Sequence, residues 1–540
     1  MTMRRRIATT MCLLVALALA LIGILGFGGH DSSVFAAAAL RDIAGHWAAP
    51  YINQMLEKGI LTGYPDGTFL PDNSISREEF AAVLARAKGL RALASASPYF
   101  ADVGPDSWSY GNIQALVEAG ILHPADYGGI LQPGAAIRRI EIATMLVRAA
   151  GLEDETAKKA DLIYFSDSVP SWAKGYVTVA LNHGLVTGYE DATFRCQGQA
   201  SRAEAGLMVL RLIDPKVRPA TWVERYTYQG KTGINTLRVV RVNFNHDDVE
   251  IRPALAGTTQ ETAYLADIAG REGAVAAING GFFSAYNDNN GDYLEPFNAL
   301  AIDGQWVHFQ YQGTALGITS DKRVIMDPIR MAISGSTNEG ANTWSAWSVN
   351  HTSPDIIGLF TRYRGETTNM ADGVTYTVRN GRVVSKGGPD VPIPDDGYVV
   401  FVSNSRVNKW TDGMFPIGGT LSYKVTFADH KDVAYPNTWD WEHIRHAIGC
   451  GPRLVTEGNV TVNPQAEGYT EAKQTTMSYN RSGVGVTSDN IVMLVTCTSL
   501  TPQEFGEAMA IWGVGTRCRW IRGHRRAFGT TGSTSLLLAE

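Results

Sequence analysis

Ile278-Asn279-Gly280-Gly281-Phe282-Phe283 closes an apolar run that begins at Ala274, and its reading decides the second half of this 540-residue chain. The run is short and lies close to glycine on both sides, the mark of a buried strand. An Asn, two glycines and two aromatics follow it. Paired glycines let the chain turn and let another group approach closely, because no Cβ intervenes. Taken alone, the six residues read most simply as a tight turn closed by core aromatics. Their combination with later stretches is what points to a site.

Upstream, from about Pro219, helical stripes give way to alternation. Val240, Val242 and Phe244 alternate with Val239, Arg241 and Asn243, a half-buried strand. Glu261 to Ala269 reads as a helix feeding the strand that ends at Asn279. Downstream, Asn287-Asp288-Asn289-Asn290-Gly291-Asp292 is oxygen-rich but does not match a calcium-loop register. A solvated turn suits it better, and a divalent cation such as calcium stays open; no other cofactor is indicated. Glu295 and the turn Ala301-Ile302-Asp303-Gly304 come next. Strands with Gly, Asn and Asp turns fill Gly317 to Thr426, best seen at Val374 to Val384 and Tyr398 to Val402.

Two further bends stand out. In His446-Ala447-Ile448-Gly449-Cys450-Gly451-Pro452-Arg453-Leu454-Val455, glycines and a proline force a sharp turn directly before Arg453. Arg481-Ser482-Gly483-Val484-Gly485-Val486 then leads into an apolar strand, Ile491 to Cys497. A capped helix follows, with Thr501 at its start, Pro502 in its first turn and Glu504 completing a capping box. Phe505, Ala508, Met509 and Trp512 would be its buried face. Arginines beside exposed backbone amides suit a phosphate, because the planar guanidinium pairs with two of its oxygens. Glu295 or Asp303 could act as acid or base or stabilise developing positive charge on a sugar. A structural salt bridge is an equal reading for either arginine taken alone.

Hydrophobic content of 45% and charged content of 19% belong to ordinary folded protein, long enough for two to four domains. A net charge of −6 and the absence of a long basic block within the body of the chain speak against a general nucleic-acid binder. At the N-terminus, Arg4-Arg5-Arg6 precede an apolar run from about Met11 to Phe27, and Val34-Phe35-Ala36 offers small residues for cleavage. That is the layout of an export signal over residues 1–38, with an uncleaved anchor as the alternative. Without it, Cys196, Cys450, Cys497 and Cys518 remain, with no pairing that spacing can assign.

From Leu40 to about Pro215 the chain repeats itself three times. Trp47, Trp108 and Trp172 recur at spacings of 61 and 64, and Arg77, Arg139 and Arg202 at 62 and 63. The first copy carries a helical stripe from Trp47 to Leu56, a Gly63-Tyr64-Pro65-Asp66-Gly67-Thr68-Phe69 loop, and a helix capped by Ser76 with Glu79. The third copy keeps this plan with Asp167, Gly188-Tyr189-Glu190-Asp191-Ala192-Thr193-Phe194 and Ser201-Arg202-Ala203-Glu204. The second is degraded, with His123-Pro124-Ala125-Asp126-Tyr127 in the loop and Arg138 at the cap. No helix pair buries its stripe alone, so the copies should pack together.

With Asp42 before His46-Trp47, the GYPDGTF loop and Ser76-Arg77-Glu78-Glu79, this third of the chain resembles the S-layer homology (SLH) domain, with repeats at 40–92, 99–153 and 163–215. The resemblance implies an all-α trimeric module that binds secondary cell-wall polysaccharide, often pyruvylated, and places the protein at the cell surface, in the wall or S-layer. Asp42, Trp47, Arg77, Trp172 and Arg202 are the expected polysaccharide-binding residues. An Arg at a helix start can pair with a ketal carboxylate, and a Trp face can stack on a sugar. Core packing is the alternative for the tryptophans.

In order, Ala276 to Phe283, Ile302-Asp303-Gly304, Gly449 to Val455 and Arg481 to Gly485 look like the phosphodiester glycosidase family, that of the mammalian uncovering enzyme. This resemblance runs from about Ala254 to Gly515 and implies that 219–540 forms an α+β domain hydrolysing a sugar–phosphate diester, with an N-acetylglucosamine-like sugar released. Asn279, Glu295, Asp303, Arg453 and Arg481 are the expected catalytic residues. The family's later Asp-Gly-Gly-Gly-Ser turn is missing. Thr516-Arg517-Cys518-Arg519-Trp520-Ile521-Arg522 stands there, making 516–540 a divergent tail through frameshift or natural divergence and placing activity in question. The expected protein is multidomain: a wall-anchored, exported hydrolase of glycan phosphodiesters or, alternatively, a non-catalytic glycan-binding or structural surface protein.

Overall fold

The computed structural model describes residues 40–94, 97–157, 165–281, 294–297, 299–310, 312–353, 356–408, 410–429, 439–511, 517–521, 531–532 and 534–539. The expected export signal, Phe282 and Phe283, the Asn287–Asp292 loop and Trp512 lie outside them. Among the described residues no helix is long and apolar enough to cross a membrane.

Each repeat contributes two helices: α1 (Ala49–Glu57) and α2 (Arg77–Ala87), α3 (Tyr110–Glu118) and α4 (Arg139–Ala149), α5 (Lys174–Asn182) and α6 (Arg202–Ile213). Ser76 and Ser201 cap α2 and α6, each in a full capping box with Glu79 or Glu204. Arg138 cannot accept a hydrogen bond, so α4 keeps half a box: Glu141 Oε2 accepts from the Arg138 amide at 2.8 Å. The unit is helical in part, with turns and loops making up the rest. Its three copies share one apolar core, which includes Phe69, Phe80, Leu116, Leu146, Val177 and Leu210.

Short bridges join the copies in a circle, Ser76 to Ala136, Arg138 to Gln199 and Ser201 to Ser74. The same loop geometry recurs in all three. Asp42 accepts from the amides of Phe69 and Leu70, Asp102 from Leu131 and Gln132, and Asp167 from Phe194 and Arg195. The second residue of each pair, Leu70, Gln132 and Arg195, has positive φ.

The second half corrects the α+β expectation: it is predominantly β. Its strands include β1 (Thr221–Gly230), β2 (Gly233–Asn243), β3 (Glu250–Leu255), β4 (Ala276–Asn279), β5 (Leu300–Ile302), β6 (Gln305–Gln310), β7 (Gln312–Thr319) and β8 (Val324–Thr337). Later come β9 (Ile444–Gly449), β10 (Arg453–Thr456), β11 (Tyr479–Val486), β12 (Ile491–Leu500), β13 (Arg517–Ile521) and β14 (Thr534–Ala539). Among the described residues, a seven-stranded sheet runs β1–β2–β12–β11–β13–β10 and ends at Asn459–Val460. A twelve-stranded sheet contains β8–β7–β9–β5–β6 and continues through residues 348–402, and β3–β14–β4 form a three-stranded sheet. The expected helix at 261–269 is shorter and later, Leu265–Arg271. Val374 to Val384 is a hairpin rather than one strand.

β12 is buried on both faces, and for that reason reads as a continuous apolar run. Val492 and Leu494 meet Val242, Ile278, Leu316 and Ile448 in the core between the sheets. Met493 and Val495 face the opposite way onto Phe505, Ala508 and Met509 of α7 (Pro502–Ile511). Two tail segments enter this framework: β13 lies between β11 and β10, and β14 between β3 and β4. Cys196 and Cys497 are buried free thiols.

Candidate active site

The glycine bends meet where β4 and β9 end. Asn279 Oδ1 accepts from Ser482 Oγ at 2.6 Å, and Ser535 of β14 lies opposite Asn279. A Cβ on Gly281 would stand 2.4 Å from the Gly449 carbonyl oxygen and 3.8 Å from that of Phe297, so only glycine permits this approach. The Gly449 bend is clamped from two sides. The Cys450 amide donates to Thr314 O at 2.9 Å, and Tyr469 Oη donates to Cys450 O at 2.8 Å. Glu467 bridges the Arg453 amide at 2.9 Å and Thr314 Oγ1 at 2.6 Å. The Arg453 guanidinium, partly exposed, makes no hydrogen bond or ion pair among the described residues.

Glu295, two residues before Phe297, belongs to this end of the molecule and is buried. Its oxygens accept from the Thr352 amide at 2.9 Å, His351 Nδ1 at 3.0 Å, Arg364 Nη1 at 2.9 Å and Thr352 Oγ1. Burial works against its charge. The His351 hydrogen bond and the neighbouring His308 and Arg364 prevail, holding the carboxyl down to about 2. Glu295 is therefore an ionised anchor. With His351 Nδ1–H donated to it, His351 presents Nε2 as a lone pair, and the ring is only partly buried. His308 stands edge-on to His351 at 5.9 Å. Although Glu295, His308 and His351 lie close enough to suggest a metal set, the four donors already on Glu295 and the buried Arg364 cation make a poor cation site.

Asp303 is elsewhere. It is exposed in the β5–β6 turn at φ 49°, and the next amide, Gly304, donates to Arg445 O at 2.7 Å. Arg445 and Gly449 lie at opposite ends of β9, four residues or about 13 Å apart along a strand. Asp303 lies beside Arg445, His446 and Glu250, away from Asn279. Arg481 also departs from its expected role. Successive strand residues face opposite ways; Ser482 turns to Asn279, while Arg481 is buried and donates to the carbonyls of Leu500, Lys473 and Met477. Its donors hold backbone, leaving Arg453 as the arginine available to an anion here.

In the repeats, Arg77 and Arg202 close the circle. Arg77 Nη2 meets Glu141 at 2.9 Å, Arg139 Nη1 stands 4.0 Å from Glu204, and Arg202 Nη1 meets Glu79 at 2.8 Å. Each guanidinium also stacks over a tyrosine of the neighbouring repeat: Tyr127 at 5.2 Å, Tyr189 at 4.6 Å and Tyr64 at 4.6 Å. Asp42 is committed to loop amides. Trp47, Trp108 and Trp172 are 54%, 59% and 62% exposed, which rules out core packing for all three.

Sequence patterns match in the same two places. An S-layer homology domain profile matches residues 39–81, 99–143 and 164–205, and a phosphodiester glycosidase profile matches 372–516. The chain joins S-layer homology repeats to a phosphodiester glycosidase domain. The repeats are similar to those of S-layer protein EA1 of Bacillus anthracis, 33% identical over 174 residues, covering 32% of this chain and 20% of that one. An endoglucanase of Bacillus sp. (strain KSM-635) is 30% identical over 170 residues, covering 31% and 18%. A cellulosome-anchoring protein of Acetivibrio thermocellus is 31% identical over 163 residues, covering 28% and 35%. The chain thus spans about a fifth of the length of the first two relatives.

Among solved structures, a hypothetical protein from Synechocystis superposes with a TM-score of 0.48 at 19% identity, covering 58% of this chain and 62% of that one. The zebrafish N-acetylglucosamine-1-phosphodiester alpha-N-acetylglucosaminidase catalytic domain superposes at 0.31 and 10% identity, covering 60% and 84%. The repeats are thus of the kind that bacterial surface-layer and cell-surface proteins carry. Sequence reasoning missed His351, Thr352 and Arg364, which precede the residues that match the glycosidase profile. They lie in loops without a motif, and the scarcity of histidine, 11 in the chain, was the one available hint.

Proposed function

We propose that this is an exported, wall-anchored hydrolase of glycosyl phosphodiesters, whose substrate is an envelope glycopolymer or exopolysaccharide. The repeats hold a secondary cell-wall polysaccharide, pyruvylated as the family resemblance implies, with Trp47 and Trp172 as exposed stacking faces. One observation supports the catalytic half: Glu295, ionised and hydrogen-bonded by His351, Thr352 and Arg364, fixes the orientation of the His351 ring. His351 Nε2 takes a proton from water as the water oxygen bonds to the anomeric carbon. The bond from that carbon to the phosphate oxygen breaks, and its electron pair leaves with the phosphate. A phosphomonoester is a good leaving group and needs no strong acid, in keeping with a carboxylate that stays charged. Arg453 meets its charge, and Asn279, fixed by Ser482, orients the sugar.

The test is release of sugar from a nitrophenyl- or UDP-linked N-acetylglucosamine diester by the purified chain. His351→Gln and Arg453→Ala should each lower turnover by about 10²–10⁴-fold. Saturable glycan binding with no release by the unmodified chain overturns the hydrolase and leaves a surface binding protein.

A further inference from the structure

Four residues form a row across the seven-stranded sheet. Arg225 of β1 lies directly opposite Arg238 of β2, Arg238 opposite Thr496 of β12, and Thr496 opposite Ser482 of β11. Directly opposed residues share a face, so all four lie on the face that Ser482 turns toward Asn279. One step along each inner strand that face is core: Val240, Leu494 and Val484 pack between the sheets. Past them the cover ends, and Thr496, Arg238 and Arg225 are exposed. Strands stand about 4.8 Å apart, which puts the backbone of Arg238 about 10 Å from that of Ser482 and Arg225 about 14 Å from it. A second observation concerns charge. Neither arginine makes a hydrogen bond or ion pair among the described residues. Their neighbours two residues away on this face, Val223, Thr227, Thr236 and Val240, carry no charge. Like charges directly across a ladder destabilise it, and no acid on these strands offsets the pair. Arg241, on the other face of β2, by contrast meets Glu224 at 2.6 Å.

We propose that this row is a subsite for a second phosphate of the substrate, held between Arg238 and Arg225, and that the substrate is a glycan whose units are joined by successive phosphodiesters. This rests on the hydrolase reading and adds the substrate class to it. A phosphate between two opposed guanidinium groups takes hydrogen bonds from both and relieves their mutual repulsion. Arg453 stands on the other side of Ser482: β10 lies two strands beyond β11, and through β13 Arg453 is in register with Val484, on the same face. The sugar at Asn279 then has the departing phosphate toward Arg453 and its other ester phosphate toward Arg238, with the Thr496 hydroxyl between. The step is unchanged, water bonding to the anomeric carbon as the phosphate leaves, but it divides a chain instead of removing a terminal sugar.

The test compares two substrates of the full chain: a nitrophenyl-linked N-acetylglucosamine diester, which ends at the sugar, and an oligomer of N-acetylglucosamine units joined through 1-phosphodiesters. At low salt kcat/KM for the oligomer should exceed that for the small diester by about tenfold or more, and the excess should shrink as NaCl rises. Arg225→Gln with Arg238→Gln removes the opposed charges, so the melting temperature should hold or rise while the excess falls by about tenfold, through KM rather than kcat. Arg238→Lys keeps the charge and should retain most of the excess. The same preference in the double variant as in the unmodified chain overturns the subsite and leaves the hydrolase standing. An unmodified chain that cleaves neither substrate overturns both.

Discussion

At the scale of single residues, Glu295 makes the sharpest statement. Its carboxyl is depressed from the usual value near 4.5 to about 2. A group held lower in the folded state stabilises the fold above its unfolded value, and the gain fades as pH falls through the folded one. The expected outcome is a melting temperature that declines between about pH 4.5 and pH 2, with a contribution on the order of 3 kcal/mol lost across that window. Glu295→Gln should flatten the decline and cost about 3–5 kcal/mol at neutral pH by leaving Arg364 buried without its partner. Thermal melts across pH measure both. Gly281→Ala should cost about 1–3 kcal/mol, because the added Cβ meets a carbonyl rather than a movable side chain; denaturant titration reads it. Alternation along β11 was open to sequence reasoning: a strand that turns Ser482 to the site must turn Arg481 away. Which face is which depends on register, and register is set by β12 and β13, far along the chain.

Among elements, the repeats were the most legible. Their caps, loop tyrosines and arginines are local signals that recur at nearly fixed spacing, and the structure repeats them in the same order. The second copy read as degraded, yet Arg139 keeps the geometry of its counterparts over Tyr189 and Phe194. Tertiary packing replaces what its loop lost. The arginines themselves were legible as special but not as structural, because their glutamate partners lie in the next repeat. Arg77→Ala or Arg202→Ala should therefore lower the melting temperature of the helical unit, each costing about 3–5 kcal/mol, before any loss of polysaccharide can be read. Trp47→Ala with Trp172→Ala should leave the melt unchanged and weaken co-sedimentation. Calorimetry beside the binding assay separates the two cases. In the second half, individual strands were visible from alternation, but their assembly was not. Asp303 and Glu295 are eight residues apart in sequence, yet Asp303 sits exposed in the β5–β6 turn beside Arg445 while Glu295 is buried among His351, Thr352 and Arg364.

Across the whole molecule, the two units meet through buried polar contacts. His183 at the end of α5 lies between Asp489 at 3.0 Å and Glu155 at 3.4 Å, and Arg218 also pairs with Asp489. Burial alone would lower the His183 pKa, but hydrogen bonds to Asp489 and Glu155 and their charges outweigh it and raise the value. The raised group stabilises the junction fully below its unfolded value near 6.5, and the gain is lost as pH rises through the folded value. Differential scanning calorimetry should show one coupled transition at pH 6 whose two parts draw apart as pH rises, with His183→Gln already separated at pH 6. The circle of repeats carries a different consequence. An open stack can grow by adding another unit at its end, but here the third copy hands its arginine back to the first. Copy number is locked at three by closure, so duplication or deletion of one repeat would break the loop rather than lengthen or shorten it.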